Sequence, residues 1–262
     1  METLIAPLTP NEMESSLVYA QTIQNGLLPK TRHFEKFFKD YFVFYKPQHK
    51  IGGDFYWLTK KGNTIYFAMA DCTGHGVSGA MLSVLGISLL NYVIQKPFNK
   101  VGEYLVELDK KWIETFDNDI LDSHFNNDWM EITLIAYNTK TKEFEYASAS
   151  GEFAIHQNNA IQLYKGNNHP IGGWQIETNR TFESHKVKLE DDAKLYFFSD
   201  GLKHQFDSDN CKKFSRKQLL TVLENHSNMP MENQLEMMDF IFNDWKENTK
   251  QTDDVSLIGL SF

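Results

Sequence analysis

Thr64-Ile65-Tyr66-Phe67-Ala68-Met69-Ala70-Asp71-Cys72-Thr73-Gly74-His75-Gly76-Val77-Ser78-Gly79-Ala80 carries the reading that decides the fold. Thr64–Ala70 is a short, nearly continuous apolar run, as expected of a buried strand. Asp71 ends it. Gly74, Gly76 and Gly79 mark a loop in which backbone can approach other groups closely. A helix then runs from about Val77 to Ile94, apolar nearly all round, and is expected to be buried on every side.

Working outward, Lys60-Lys61-Gly62-Asn63 reads as a turn. The strand before it, Asp54–Thr59, follows Gly52-Gly53, and Tyr41–Tyr45 is a further strand-like run. At the N-terminus, Thr9-Pro10-Asn11-Glu12 is a helix start with a capping box and a proline at the first helical position. Met13, Leu17, Ala20, Ile23 and Leu27 then fall on one apolar stripe, which Pro29 ends. That stripe has two readings: a helix packed on its own domain, or a short self-association segment.

Downstream, Val101, Leu105, Leu108, Trp112 and Phe116 share one helix face, so a helix is expected over Val101–Phe116. Asp117–Asp128 reads as a polar loop. Strands follow around Met130–Tyr137, Glu143–Ala149, Phe153–His156, Ile161–Leu163, Phe182–Leu189 and Leu195–Ser199. Two helices, Ser215–His226 and Met231–Asn248, precede a last strand, Asp254–Phe262. Strands cluster and helices come in pairs, which is an α+β pattern rather than alternating βαβ units. The expected organisation is a helical extension over 1–30 and one domain over 31–262.

The 262 residues, 41% of them hydrophobic and 14% aromatic, suffice for a sizeable core. The net charge of −9 argues against nucleic acid and against an anionic membrane surface. Two cysteines, Cys72 and Cys211, make neither a disulfide framework nor a Cys-rich zinc site, and a reducing cytoplasm is the simple reading. No signal peptide is read at the start. Ala80–Ile94 falls short of the roughly 20 residues that span a bilayer, so no membrane span is expected.

Asp54, Asp71, Asp200 and Asp253-Asp254 each stand where a strand meets a loop. Taken singly, each is ordinary turn chemistry. If the four edges converge, the carboxylates repel one another unless cations bind, and an all-oxygen donor set suits Mg2+ or Mn2+. Gly74–Gly79 lacks the Lys-Ser/Thr ending of a nucleotide-binding loop. Cys72 reads as a small buried thiol rather than a nucleophile.

Four segments together carry a family likeness: Gly52-Gly53-Asp54-Phe55-Tyr56-Trp57, Ala70-Asp71-Cys72-Thr73-Gly74-His75-Gly76-Val77-Ser78-Gly79-Ala80, Phe198-Ser199-Asp200-Gly201 and Asp253-Asp254-Val255-Ser256. In that order they resemble the SpoIIE/RsbU type of metal-dependent protein Ser/Thr phosphatase, in the protein-phosphatase-2C-like (PPM) superfamily. Ala20–Pro29 also looks like the helix that precedes this domain in family members.

The resemblance implies a four-layer αββα sandwich of two antiparallel sheets flanked by helix pairs. It implies two divalent cations, Mn2+ or Mg2+. Asp71 would bridge them, Asp54 and the Cys72 carbonyl would serve one, and Asp200 and Asp253 the other, with a swap between Asp253 and Asp254 left open. A water held between the ions would attack the phosphorus of phosphoserine or phosphothreonine. Asp71 and Asp200 are thus the catalytic carboxylates, and His75 is the general-acid candidate, weighed against a loop-packing role. Asp128 and Glu131 lie where some relatives carry acids.

The sequence departs from the family pattern at Ala149-Ser150-Gly151-Glu152 and at Leu202-Lys203-His204-Gln205-Phe206. By analogy the substrate is a phosphorylated regulator in bacterial signal transduction, such as an anti-sigma-factor antagonist. The implied partners are that phosphoprotein, a separate or missing sensor or regulatory domain, and a second copy through the N-terminal helix. The competing function is a regulatory dimer or docking module with little turnover.

Overall fold

The computed structural model describes residues 9–116, 127–173, 180–209 and 211–262. Most of the expected Asp117–Asp128 loop lies outside them. Helix α1, Pro10–Leu27, begins with the expected box, in which Thr9 Oγ1 accepts from Glu12 N and Glu12 Oε2 accepts from Thr9 N. A two-turn helix follows, α2 (Thr31–Phe37), then β1 (Asp40–Lys46), β2 (Phe55–Lys61) and β3 (Thr64–Cys72). Helices α3 (Gly76–Val93) and α4 (Val101–Phe116) come next.

Strands β4 (Trp129–Asn138), β5 (Phe144–Ala149), β6 (Glu152–Gln157), β7 (Ala160–Lys165), β8 (Ile171–Gly172), β9 (His185–Val187) and β10 (Lys194–Phe198) make up the central block. The chain closes with α5 (Gly201–His204), α6 (Arg216–His226), α7 (Met231–Lys246) and β11 (Val255–Ser261). The α+β class expected from the sequence holds. One antiparallel sheet has the order β1-β11-β10-β6-β7, the other β2-β3-β4-β5-β9, with β8 beside β4.

Aromatic rings join the sheets. Phe67 of β3 meets Phe197 of β10 at 4.8 Å, and Tyr146 of β5 meets Phe153 of β6 at 4.9 Å. Phe67, Phe153 and Phe197 are fully buried, each contributing on the order of 2 kcal/mol by removal from water. Every residue of β11 is buried because a strand lies on each side and a layer covers each face. Helices α3 and α4 pack on the β2–β5 sheet, and α6 and α7 on the β1–β7 sheet.

Two expectations need correction. Helix α3 is not buried on every side. Its buried row runs through Gly79, Leu82, Ser83, Gly86, Ile87, Leu90 and Val93, while Val77, Met81, Val84 and Tyr92 are exposed. By length and composition alone it is apolar enough to cross a membrane, but it packs against β2 and β3 as a core helix does. The docked face of α1 is shifted from the Met13–Leu27 stripe: it keeps Leu17 and Ala20, adds Gln24 and Leu28, and leaves Met13, Ile23 and Leu27 exposed. A buried glutamine decides this register: Gln24 Nε2 donates to the Gly52 carbonyl (2.7 Å) and to Ser83 Oγ (2.8 Å).

Candidate active site

Strand pairing brings the acids together two by two. In the β2–β3 ladder Phe55 faces Ala70, so Asp54 stands beside Asp71 at the ladder's end. In β3–β4, Asp71 faces Glu131 directly. In β10–β11, Phe198 faces Leu257, which sets Asp200 beside the Asp253-Asp254 entry to β11. The two ladder ends meet across the sandwich, where Ser256 Oγ donates to Asp54 Oδ2 (2.6 Å) and Gly53 N donates to Asp254 Oδ2 (2.6 Å). Gly53 permits this approach, since a Cβ there would lie 2.7 Å from the carbonyl oxygens of Cys72 and Gly74.

Asp54 is buried, and its Oδ1 has no hydrogen-bond partner among the described residues. Burial holds its carboxyl well above the usual range, with Ser199 and Ser256 hydroxyls opposing and Asp254 and Asp253 adding to the shift. Asp71 is likewise raised by burial, then by the charges of Asp54, Asp200, Asp253 and Glu131. Glu131 is pushed up to about 7 by burial and by Asp200. An orphaned buried carboxylate oxygen inside a set of mutually repelling acids is what hard divalent cations relieve, so the donor set fits Mn2+ or Mg2+.

Asp253 and Asp254 are separated by the structure. Asp254 points back into the loop before β2, where Oδ1 accepts from Gln48 N (2.7 Å) and Oδ2 from Gly53 N. Asp253 faces outward, with Oδ2 3.3 Å from His204 Nδ1, and Asp200 Oδ1 lies 3.5 Å from the same nitrogen. Asp200, His204 and Asp253 thus each offer a ligand atom within 4.8 Å of one another. Sequence reading passed over His204. Its signal was its place one turn after Asp200, on a helix too short to show periodicity.

Cys72 is a buried thiol held well above its ordinary value first by burial and then by the Asp71 charge, the opposite of what activates a thiolate. His75 is exposed at the N-cap of α3, its ring 5.3 Å from that of His49. Asp128 precedes β4, and its carbonyl accepts from Trp112 Nε1 (3.0 Å). A cleft of about 290 Å3 opens beside the acids, lined by Asp71, Glu131, Asp200, Glu152, Lys203 and Arg216.

The family described as Stage II sporulation protein E (SpoIIE) matches residues 61–262. The chain belongs to the SpoIIE family. Membership agrees with the SpoIIE/RsbU likeness carried by the four sequence segments. Solved structures agree on the fold of this SpoIIE-family chain. The SiaA-PP2C domain of Pseudomonas aeruginosa superposes with a TM-score of 0.84 at 22% identity, over 96% of this chain and 98% of that one. The PP2C phosphatase domain and regulatory-domain fragment of SpoIIE from Bacillus subtilis gives 0.64 at 14% identity, over 85% of this chain and 63% of that one. The PPM Ser-Thr phosphatase MsPP from Mycobacterium smegmatis, in complex with cacodylate, gives 0.56 at 10% identity, over 86% and 99%. Among curated proteins no relative matches the chain.

Proposed function

We propose that this SpoIIE-family chain hydrolyses phosphoserine or phosphothreonine on a signalling protein, by analogy an anti-sigma-factor antagonist or similar regulator. The convergence of Asp54, Asp71, Asp200 and Asp253 at one sandwich edge, with Asp54 Oδ1 left unpartnered, carries the reading. In it Asp71, Asp54, the Cys72 carbonyl, Asp200 and Asp253 would hold two divalent cations, with Asp71 serving both. Bound there, they supply neutralisation of the phosphoryl charge and activation of water.

The chain's own residues do the rest. Asp54 is oriented by Ser256, and Asp253 by His204, so the carboxylates are placed before substrate arrives. Asp254 holds the Gly53 loop and with it the position of Asp54. His75, exposed at the mouth of the glycine loop, is the group assigned to protonating the leaving oxygen. A docking module without turnover would not need four acids kept together against their mutual repulsion. Residues 31–262 are the proposed catalytic unit and 1–30 its extension.

Hydrolysis of p-nitrophenyl phosphate and of a phosphoserine peptide, in EDTA, Mg2+ and Mn2+, tests this. Turnover is expected with one or both metals and none in EDTA. No turnover under any metal would instead support the docking module.

Helix α1 leaves Tyr19, Ile23 and Leu27, four residues apart on one face, between 43% and 68% exposed. This apolar face supports pairing with a second copy, and a regulatory domain on the same or another chain would act through it. Sedimentation should show a dimer that Tyr19→Asp with Ile23→Asp converts to monomer. A wild-type monomer would exclude the pairing.

A further inference from the structure

The cleft that holds Asp71, Glu131 and Asp200 is also lined by a basic cluster, Lys165, Lys203 and Arg216, in a chain whose net charge is −9. The cluster's centre is Glu152, the first residue of β6, with a side chain 11% exposed. Glu152 Oε1 accepts from Lys203 Nζ (3.2 Å), and Oε2 accepts from Arg216 Nη1 (2.6 Å) with Lys165 Nζ at 3.5 Å. Three elements supply these cations: β7 for Lys165, α5 for Lys203 and the first residue of α6 for Arg216. Three positive charges surround one negative charge.

Donors also outnumber acceptors here. Two ammonium groups and a guanidinium carry far more N–H groups than one carboxylate can accept. The three cations remain 30–54% exposed.

We propose that Lys203, Arg216 and Lys165 form a subsite for an acidic side chain next to the phosphorylated residue of the substrate. The proposal rests on the phosphatase reading and names the substrate class within it. The acids and the basic cluster line one cleft of about 290 Å3, so a phosphoserine held at Asp71 and Asp200 brings the side chains flanking it within reach of the basic cluster. Glu152 already shows that a carboxylate fits among these cations. The departure from the family pattern at Ala149-Ser150-Gly151-Glu152 thus falls at a point where substrate contacts are set. The phosphoryl group itself belongs beside Asp71 and Asp200, where its charge would be met by the cations those acids would hold.

The test measures binding of two fluorescein-labelled, non-hydrolysable phosphonate analogues of a phosphoserine peptide in Mn2+, by anisotropy. One carries aspartates on both sides of the phosphonate and the other lysines. The wild type should bind the aspartate peptide about tenfold tighter, the size of one charge-assisted hydrogen bond. Lys203→Ala with Arg216→Ala should bring the ratio close to one. Glu152→Gln, which frees the cations and keeps the side chain's shape, should raise it about threefold. A merely structural role for the cluster would not produce these opposite shifts.

A wild-type ratio near one, or no binding of either peptide, overturns the subsite. So does a Glu152→Gln ratio below that of the wild type. Turnover of the matching phosphoserine peptides is read separately and decides the phosphatase reading alone.

Discussion

Asp71→Asn is expected to lower phosphopeptide turnover by about a thousandfold while raising the melting temperature of the metal-free protein. The two effects share one cause. Asp71, the penultimate residue of β3, stands between Asp54 and Glu131 and within the field of Asp200 and Asp253. In the proposed site it serves both cations. Losing roughly 4 kcal/mol of transition-state charge stabilisation corresponds to about three decades in rate.

Without metal, the same carboxylate is a burden. Its pKa is raised in the folded protein, so the folded state binds the proton more tightly than the unfolded chain does. This contribution is fully present below the ordinary carboxylate value near 4 and is lost as pH rises through the elevated folded values. Glu131, at about 7, places part of that loss near neutrality. In EDTA the wild type should therefore melt at progressively lower temperature from pH 5 to pH 8. Mn2+ should restore most at the alkaline end. Asp71→Asn should flatten the profile by removing one of the repelling charges. Turnover within tenfold of wild type, or a metal-free variant less stable than wild type at pH 8, would contradict this placement.

Gly201→Ala is expected to destabilise the fold by about 3 kcal/mol, at the upper end of overpacking costs. A methyl group at Gly201 would lie 1.8 Å from the carbonyl oxygen of Asp254 and 2.8 Å from its carbonyl carbon. Backbone cannot rotate aside as a flexible side chain can. Asp254 is further pinned by Gln48 N and Gly53 N, so the strain passes to α5 and to the entry of β11. Those segments carry Asp200 and Asp253. A melting temperature lower by about 6–12 °C and a turnover about a hundredfold lower should appear together. Normal turnover in a variant that melts as wild type would show that the two segments do not need this approach.

Legibility tracked the range of the interactions involved. Helix α4 was readable to the residue because five apolar positions recur at helical spacing over four turns. The α1 start was readable because a capping box is a contact three residues long. Helices α2 and α5, with seven and four residues, are too short for periodicity, and β8 has two residues. The exposed face of α3 was misread because composition reports apolarity, not which side a sheet covers.

By itself, then, the sequence determined the α+β class, most strand and helix positions, and which acids stand at strand ends. Each of these rests on residues within a few positions of one another. Tertiary structure alone decided that Asp54, Asp71, Asp200 and Asp253 share one edge and that Asp254 turns away to hold Gly53. It also brought His204 to Asp253, and Lys165, Lys203 and Arg216 around Glu152. Those partners lie from about 13 to about 200 residues apart in the chain. Only the ladder registers and the packing of the two sheets bring them within reach, and no local pattern encodes either.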